Sequence, residues 1–296
     1  MGEFQTMFTN TLTPVARAWI RYSPVSFGKK WLWDRFCWRR RQFSCKTKFG
    51  MRVTGDTEDL IQRYLYFFGV WEPNITRWIS SRLRAGDGFV DIGANIGYDS
   101  LLAAKLVGPE GQVISIEAAQ WIHAILCRHI GLNHLQNIRT VNVAAAATRG
   151  IVHVFPGGAG NIGSTTTIPH GRPTDQLAEV EALPIHEILT AEEIKTIRII
   201  KIDVEGAELQ VIHGLAPLLA RMRPDVEILV EISPNLDGSA SEIFSILKAA
   251  GFSAYMIQNS YDAESYLFAS EIVDPIPLTT ACIDQQVDVL FSRAQY

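Results

Sequence analysis

Apolar positions along the chain follow two alternating rhythms. Short apolar runs read as buried strands: Phe89–Val90 leading to Asp91, QVISIEA (112–118), IRTVNVAAAA (138–147), GIVHVF (150–155), IRIIKIDVEG (197–206), DVEILVEIS (225–233), SAYMIQ (253–258) and VDVLF (287–291). Helical spacing fills the intervals. NIGYDSLLAAKLV (95–107) runs to a Gly108–Pro109 stop, and WIHAILCRHIGL (121–132) sets Ile122, Leu126 and Ile130 four apart. The strand over 197–206 enters a helix ending at Gly214, and SEIFSILKAAGF (241–252) is a further helix. Upstream, residues 57–87 read as helical with a break at Gly69 and Pro73. Strands alternating with helices predict an α/β fold, a mainly parallel, doubly wound sheet with helices on both faces. There is no internal repeat and no heptad pattern. The domain reading is a basic aromatic arm (1–50), a helical lead-in (51–84) and an α/β core (85–296).

Charge adds one feature that periodicity does not carry. With 47% hydrophobic and 20% charged residues the chain is of ordinary globular composition, and its net charge is −4. Yet residues 1–52 hold eleven Lys or Arg against only Glu3 and Asp34, and with them Trp19, Trp31, Trp33 and Trp38. The segment KKWLWDRFCWRRRQF (29–43) admits two readings. The arm folds back on the acidic core and buries its rings, or residues 14–52 meet an anionic membrane surface or a second copy. Nucleic acid is the least favoured partner. No apolar run reaches the ~18–20 residues of a membrane span. The N-terminus lacks a secretory apolar stretch, and Cys37, Cys45, Cys127 and Cys282 form no CxxC pair. A cytoplasmic protein, peripheral at the membrane under the second reading, is expected.

The candidate chemistry sits at the strand ends, where open α/β sheets bind ligands. FVDIGANIGYDS (89–100) is a strand end, a glycine turn and a helix start. Asn95 stands where a strict GxGxxG would place Gly, which argues against a nicotinamide dehydrogenase. The other ends carry Glu117–Ala119, Ala144–Ala146, Asp203–Glu205 and Glu231–Pro234. Carboxylates recur there, with no Lys or Arg beside the turn, so a phosphate-bearing ligand is disfavoured. A nucleoside with a positive centre fits, and S-adenosyl-L-methionine is such a ligand. Glu117, 20 residues beyond Gly97, is placed to accept ribose hydroxyls. Asp91 either faces the ligand's ammonium or ties down the turn.

The segments FVDIGANIGYDS, VISIEA, IRIIKIDVEGAELQVIHGL and ILVEISP, in that order, resemble the FkbM family of S-adenosylmethionine-dependent methyltransferases. The resemblance extends over roughly 50–290 and takes in GVWEP and NIGSTT. It implies a class I methyltransferase (Rossmann-like) fold: a doubly wound seven-stranded sheet whose last two strands form an antiparallel hairpin, preceded here by the helical arm. It also implies a cofactor site at Asp91, Gly93, Ala94, Asn95, Gly97, Glu117, Ala118, Ala144 and Asp203. Asp203, Glu205 and Glu208 match the family's acidic signature. Relatives methylate hydroxyls of sugars, glycolipids or polyketide-type natural products, and some methylate nitrogen in peptide side chains. The acceptor is therefore expected to be a small molecule, a glycolipid or a peptide. A catalytically silent, membrane-docked cofactor-binding scaffold is the alternative that is not an enzyme.

Methyl transfer is an in-line displacement at a sulfonium-activated carbon, and an alcohol acceptor benefits from a base. Asp203, Glu205 and Glu231 are the catalytic candidates. The structural alternative has Asp203 and Glu205 capping the helix near Gly206. On the acceptor side stand Glu72, Asn161, Ser164, Thr165 and His170, most of them in the Gly- and Thr-rich segment 156–176, read as closing over the acceptor or as a plain linker. Asp203, Glu205 and Glu208 raise the question of a divalent metal, but no Asp-Asp or Asp-Asn pair elsewhere completes a site, and none is expected. His123, His129 and His134 read as helix surface or core.

Overall fold

The computed structural model describes residues 2–158, 160–168, 178–234, 238–268, 274–279 and 283–295, with side chains from Leu12 onward. The arm forms helices α1 (Gly2–Tyr22) and α2 (Lys29–Phe36), followed by an antiparallel hairpin of β1 (Gln42–Lys46) and β2 (Arg52–Asp56). The lead-in breaks where expected, between α3 (Leu60–Phe68) and α4 (Pro73–Arg82): Gly69 closes α3 and Pro73 opens α4. The core then runs β3 (Gly88–Ile92), α5 (Tyr98–Val107), β4 (Gln112–Ile116), α6 (Gln120–Leu132), β5 (Ile138–Val141), β6 (Ala144–Ala145), β7 (Gly150–Val154) and β8 (Ala178–Leu183). It continues with α7 (Ile185–Ile188), α8 (Ala191–Thr196), β9 (Ile197–Ile202), α9 (Glu208–Leu215), β10 (Glu227–Ile232), α10 (Ser239–Ala249), β11 (Ser253–Ile257), α11 (Ala263–Leu267), β12 (Ile276–Pro277) and β13 (Val287–Ser292).

The main sheet has the order β12-β11-β13-β10-β9-β3-β4-β5. From β5 to β10 all neighbours are parallel, while β13 inserts antiparallel between β10 and β11. This is the class I methyltransferase arrangement, corrected in one respect: the sheet has eight strands, not seven. The extra one is two-residue β12 on the β11 edge. β11 and β13 pair as implied, but α11 and β12 lie between them in the chain, so they are not a tight hairpin. The central strands read as unbroken apolar runs because both faces are covered. Ile200, Ile202, Ile228 and Val230 pack with α9 and α10, and Phe89, Ile199, Leu229 and Leu290 pack with α4 and α5.

Two segments depart from the sequence pattern. The run 138–147 is divided, because the Asn142 amide donates to the carbonyls of Glu117 (2.8 Å) and Ala118 (3.0 Å) and turns the chain off the main sheet. β6 then joins β8 and β7 in a separate small sheet. The β1–β2 hairpin lies in a stretch whose five-residue strands are too short for alternation to declare itself. The arm folds back in part. Trp33 is buried among Tyr64, Phe67 and Phe68, at 4.9–5.4 Å between ring centroids, while Trp31 and Trp38 are exposed. One apolar cluster runs from Ala16, Ile20 and Trp33 through α3 to Leu101 and Ile122, joining arm, lead-in and core.

Candidate active site

A cavity of about 400 Å³ opens at the carboxyl ends of β3, β4, β9 and β10. Here the strand order reverses, because the chain leaves β3 for β4 on one side and returns to β9 on the other. Of the expected cofactor residues, Gly93, Asn95, Glu117, Ala118, Ala144 and Asp203 line it; Asp91, Ala94 and Gly97 do not. The acceptor and catalytic candidates Glu72, Asn161, Ser164, Thr165, Asp203, Glu205 and Glu231 all line it. His170 lies outside the described residues.

The glycine turn works differently from the sequence reading. Gly93 and Gly97 have φ of 82° and 88°. A Cβ on Gly93 would overlap the Asp203 carbonyl oxygen, and one on Gly97 would overlap the Leu126 side chain. These glycines let the turn close on its protein neighbours. The amides of Gly93 and Ala94 donate to the Ile116 carbonyl at 2.9 and 3.0 Å rather than pointing at a ligand. The Asn95 amide donates to Glu117 Oε2 (2.8 Å), and Ala119 N donates to Oε1 (2.9 Å). Glu117 is therefore locked facing the cavity, and burial pushes its carboxyl up to about 7 against the pull of those two N–H groups. Asp91 stands beneath the turn, where it accepts from Ser100 Oγ (2.5 Å). Burial raises its carboxyl to about 7, with Lys201 opposing.

The opposite wall is acidic and strained. Among the described residues, the non-glycine residues at positive φ are Glu72, Asn95, His134 and Glu205, and all but His134 line the cavity. Such conformations cost free energy and gather at functional sites. Buried Lys201 donates to Asp203 Oδ2 (2.8 Å) and lies 3.5 Å from Asp99. Burial works against its charge, yet Asp203, Asp99 and Glu72 outweigh burial and hold the ammonium well above its ordinary value. The Tyr261 hydroxyl lies 2.9 Å from Glu72 Oε1 and 3.0 Å from Glu231 Oε1. One phenolic hydrogen can serve only one of these contacts, so the other requires a proton on a carboxyl. Consistent with a shared proton, burial drives both glutamates well above the usual carboxylate range. Asn259 donates to Glu72 Oε1 and to Asp288, both at 3.1 Å. Glu208 lies off the cavity and accepts from the Gly206 amide (2.9 Å), a structural role at the start of α9.

Asn161, Ser164 and Thr165 reach the cavity through a single turn of 3₁₀ helix, Ile162–Ser164. That turn is anchored by Ile162 N to Asp59 Oδ2 (2.9 Å) and by Thr166 Oγ1 to the Glu205 carbonyl (2.7 Å). Sequence reasoning missed Trp71, Tyr261 and Gln286, which also line the cavity. Trp71 adjoins a segment already singled out, but Tyr261 arrives on the β11–α11 connection, which carries no motif. His129 is buried and bonded to the Ile96 carbonyl, a core histidine as expected.

The family model described as the Methyltransferase FkbM domain matches residues 91–254, from the acid beneath the turn to β11 and over more than half of the chain. The chain belongs to the FkbM methyltransferase family. Its cofactor is S-adenosyl-L-methionine, and the lining suits the positive charges of that molecule: among the described residues it holds Glu72, Glu117, Asp203, Glu205 and Glu231 and no Lys, Arg or His. Among solved structures, the chain is similar to a methyltransferase FkbM from Methylobacillus flagellatus KT (13% identity, TM-score 0.44, 77% of this chain and 52% of that one). It therefore spans about half of that protein. It is also similar to a putative methyltransferase from Streptococcus mutans in complex with SAH (10% identity, TM-score 0.42, 75% and 99% covered). Aeropyrum pernix fibrillarin, with natively bound S-adenosyl-L-methionine, is similar at 10% identity and TM-score 0.41, with 92% and 86% covered. No curated protein matches the chain.

Proposed function

We propose that the protein transfers the methyl group of S-adenosyl-L-methionine to a hydroxyl oxygen of a sugar, a glycolipid or another natural-product acceptor. One observation carries this reading: Asp203 and Glu231 line the same cavity as Glu117, so candidate bases stand beside the cofactor's site. In the transfer the S–CH₃ bond breaks, an O–CH₃ bond forms and the sulfonium becomes a neutral thioether. The hydroxyl proton passes to an unprotonated carboxylate of the cavity wall, which Asp203, Glu205 and Glu231 all line. The test incubates the protein with methyl-labelled cofactor and a panel of glycosides, glycolipids and amine-bearing peptides. Label in an ether product supports the reading; label on nitrogen alone refutes it.

The arm supports a lipid-borne acceptor. Among the described residues, eight of the thirteen exposed large apolar side chains fall within 12–38, including Phe27, Trp31 and Trp38. Aromatic rings interleaved with cations suit an anionic interface. The arm also lies beside the cavity: α1 packs on α3, whose Leu60 and Ile61 line it, and Lys30 of α2 lies 3.8 Å from Glu264 of α11. Sedimentation with phosphatidylcholine vesicles, with and without phosphatidylglycerol, tests the docking. Binding to the anionic vesicles that is lost in the Phe27→Ser, Trp31→Ser double variant supports it. An exposed face that instead mediates dimers, with no vesicle binding, refutes it.

A further inference from the structure

Three of the cavity's carboxylates converge. Asp203, Glu205 and Glu231 each offer one oxygen within 4.8 Å of the other two. A cation with metal–oxygen distances of about 2.3–2.6 Å spans such a set, and small side-chain rotations bring it to the ~2.1 Å of a smaller ion. Two of the three carboxylates are already held by neighbours. Lys201 holds Asp203 Oδ2 at 2.8 Å, and Tyr261 lies 3.0 Å from Glu231 Oε1. Outer partners of this kind aim metal ligands.

A separate observation points to something bound. The Glu72 side chain is only 3% exposed and lines the same cavity, yet its Oε2 has no hydrogen-bond partner. A buried carboxylate oxygen left without a donor is costly. Its other oxygen is tied through the Tyr261 hydroxyl to Glu231, a member of the cluster.

We propose that Asp203, Glu205 and Glu231 form a divalent-cation site, with Glu72 Oε2 accepting a hydrogen bond from a water in the ion's coordination shell. The donor set is oxygen alone, which selects hard cations such as Mg²⁺, Mn²⁺ or Ca²⁺ over zinc or copper. Sequence pattern raised a metal for Asp203, Glu205 and Glu208 but could not complete a site, because Glu231 comes from β10 and meets Asp203 and Glu205 only in the folded sheet. Resting on the hydroxyl-methylating reading, the ion's use is to orient the acceptor oxygen and make its proton easier to lose. Binding of the ion itself does not depend on that reading.

Mn²⁺ alone is the probe, titrated into the full chain and followed by the paramagnetic resonance signal of the free ion. One bound Mn²⁺ per chain, displaced by Mg²⁺ or Ca²⁺ and held about tenfold or more weakly in Glu231→Gln and Glu205→Gln, supports the site. Glu110→Gln, an exposed carboxylate outside the cavity, retains it. Absence of a Mn²⁺ site in the wild type, or unchanged affinity in both Gln variants, overturns the proposal. Should those variants fail to fold, Tb³⁺ bound to the wild type is read by emission sensitised through the cavity's Trp71; emission unaltered in Trp71→Phe overturns it. Cofactor titration of the same samples separates the two readings: S-adenosylmethionine binding without Mn²⁺ binding overturns the metal site alone, and Mn²⁺ binding without cofactor binding supports it while refuting the transferase reading.

Discussion

Glu117 offers the sharpest test of how the cofactor is held. Its two oxygens accept from Asn95 N at 2.8 Å and Ala119 N at 2.9 Å, and the side chain is 7% exposed at the cavity wall. Glu117→Ala removes both acceptors; a fully buried unpaired amide costs about 1–3 kcal/mol, and because the Asn95 amide is only part-buried while that of Ala119 is buried, a stability loss of about 2–4 kcal/mol is expected. It also removes the acceptor for the ribose hydroxyls. Hydrogen bonds to a charged group contribute about 1.5–3 kcal/mol, so affinity should fall by roughly tenfold to a hundredfold. Glu117→Gln keeps one acceptor oxygen but turns an NH₂ donor toward an N–H donor, so it should weaken both properties less than Ala does. Calorimetric titration with S-adenosylmethionine and its demethylated product, beside thermal unfolding, measures the two effects separately. Burial pushes the carboxyl up to about 7 when no ligand is bound, and hydroxyl donors favour its ionised form. Wild-type affinity should therefore rise from pH 6 to 8, while the Gln variant stays flat. A folded Glu117→Ala protein that binds within about twofold of wild type, a difference of roughly 0.4 kcal/mol, would refute the assignment.

Other consequences concern the fold around the site. Gly93→Ala puts a Cβ into the Asp203 carbonyl at a φ of 82° and should cost about 2–4 kcal/mol in denaturant unfolding. A stability unchanged within error would show that the turn can yield. The cofactor-free protein should lose stability as pH rises from 6 to 8. Asp91, Glu117 and Asp288 are each raised by burial to about 7, above their unfolded values, so the stabilising protonated form is present at low pH and lost through that window. Each group contributes about 1.4 kcal/mol across it if titrating independently, and a melting temperature that climbs over this range would contradict the burial argument. Arg139 makes two 2.8 Å bonds to the Glu193 carboxylate, whose side chain is 4% exposed, and so ties β5 to the capped start of α8. Because Arg139 itself is 36% exposed, Arg139→Ala should cost about 2 kcal/mol, below the fully buried range. Chemical denaturation checks it, and a loss under about 0.5 kcal/mol would place the pair with ordinary surface bridges.

Much of the architecture was legible because it depends on local pattern. A parallel strand covered on both faces must be apolar throughout, so IRIIKI and EILVEI announced themselves, and the amphipathic intervals between them could only be helices on the two faces. The breaks at Gly69 and Pro73 were equally plain, since backbone chemistry alone stops a helix there. Pattern failed where the information lay elsewhere. Asn142 ends β5 through carbonyls of the preceding strand connection, a contact with no echo in neighbouring residues. Two-residue β12 and the β1–β2 hairpin are too short for alternation to identify.

The site divides along the same line. By itself, the sequence determined that carboxylates stand at the strand ends and that a glycine turn follows β3, because residue type and strand periodicity set both. The tertiary structure decided what those groups do. It turned Asp91 to Ser100 beneath the turn, and gave Gly93 and Gly97 protein neighbours in place of a ligand. It brought Tyr261 from a connection without a motif to bridge Glu72 and Glu231. The physical reason is that a side chain's partner and protonation depend on what burial and distant strands place within about 3 Å of it, and sequence spacing does not encode that distance.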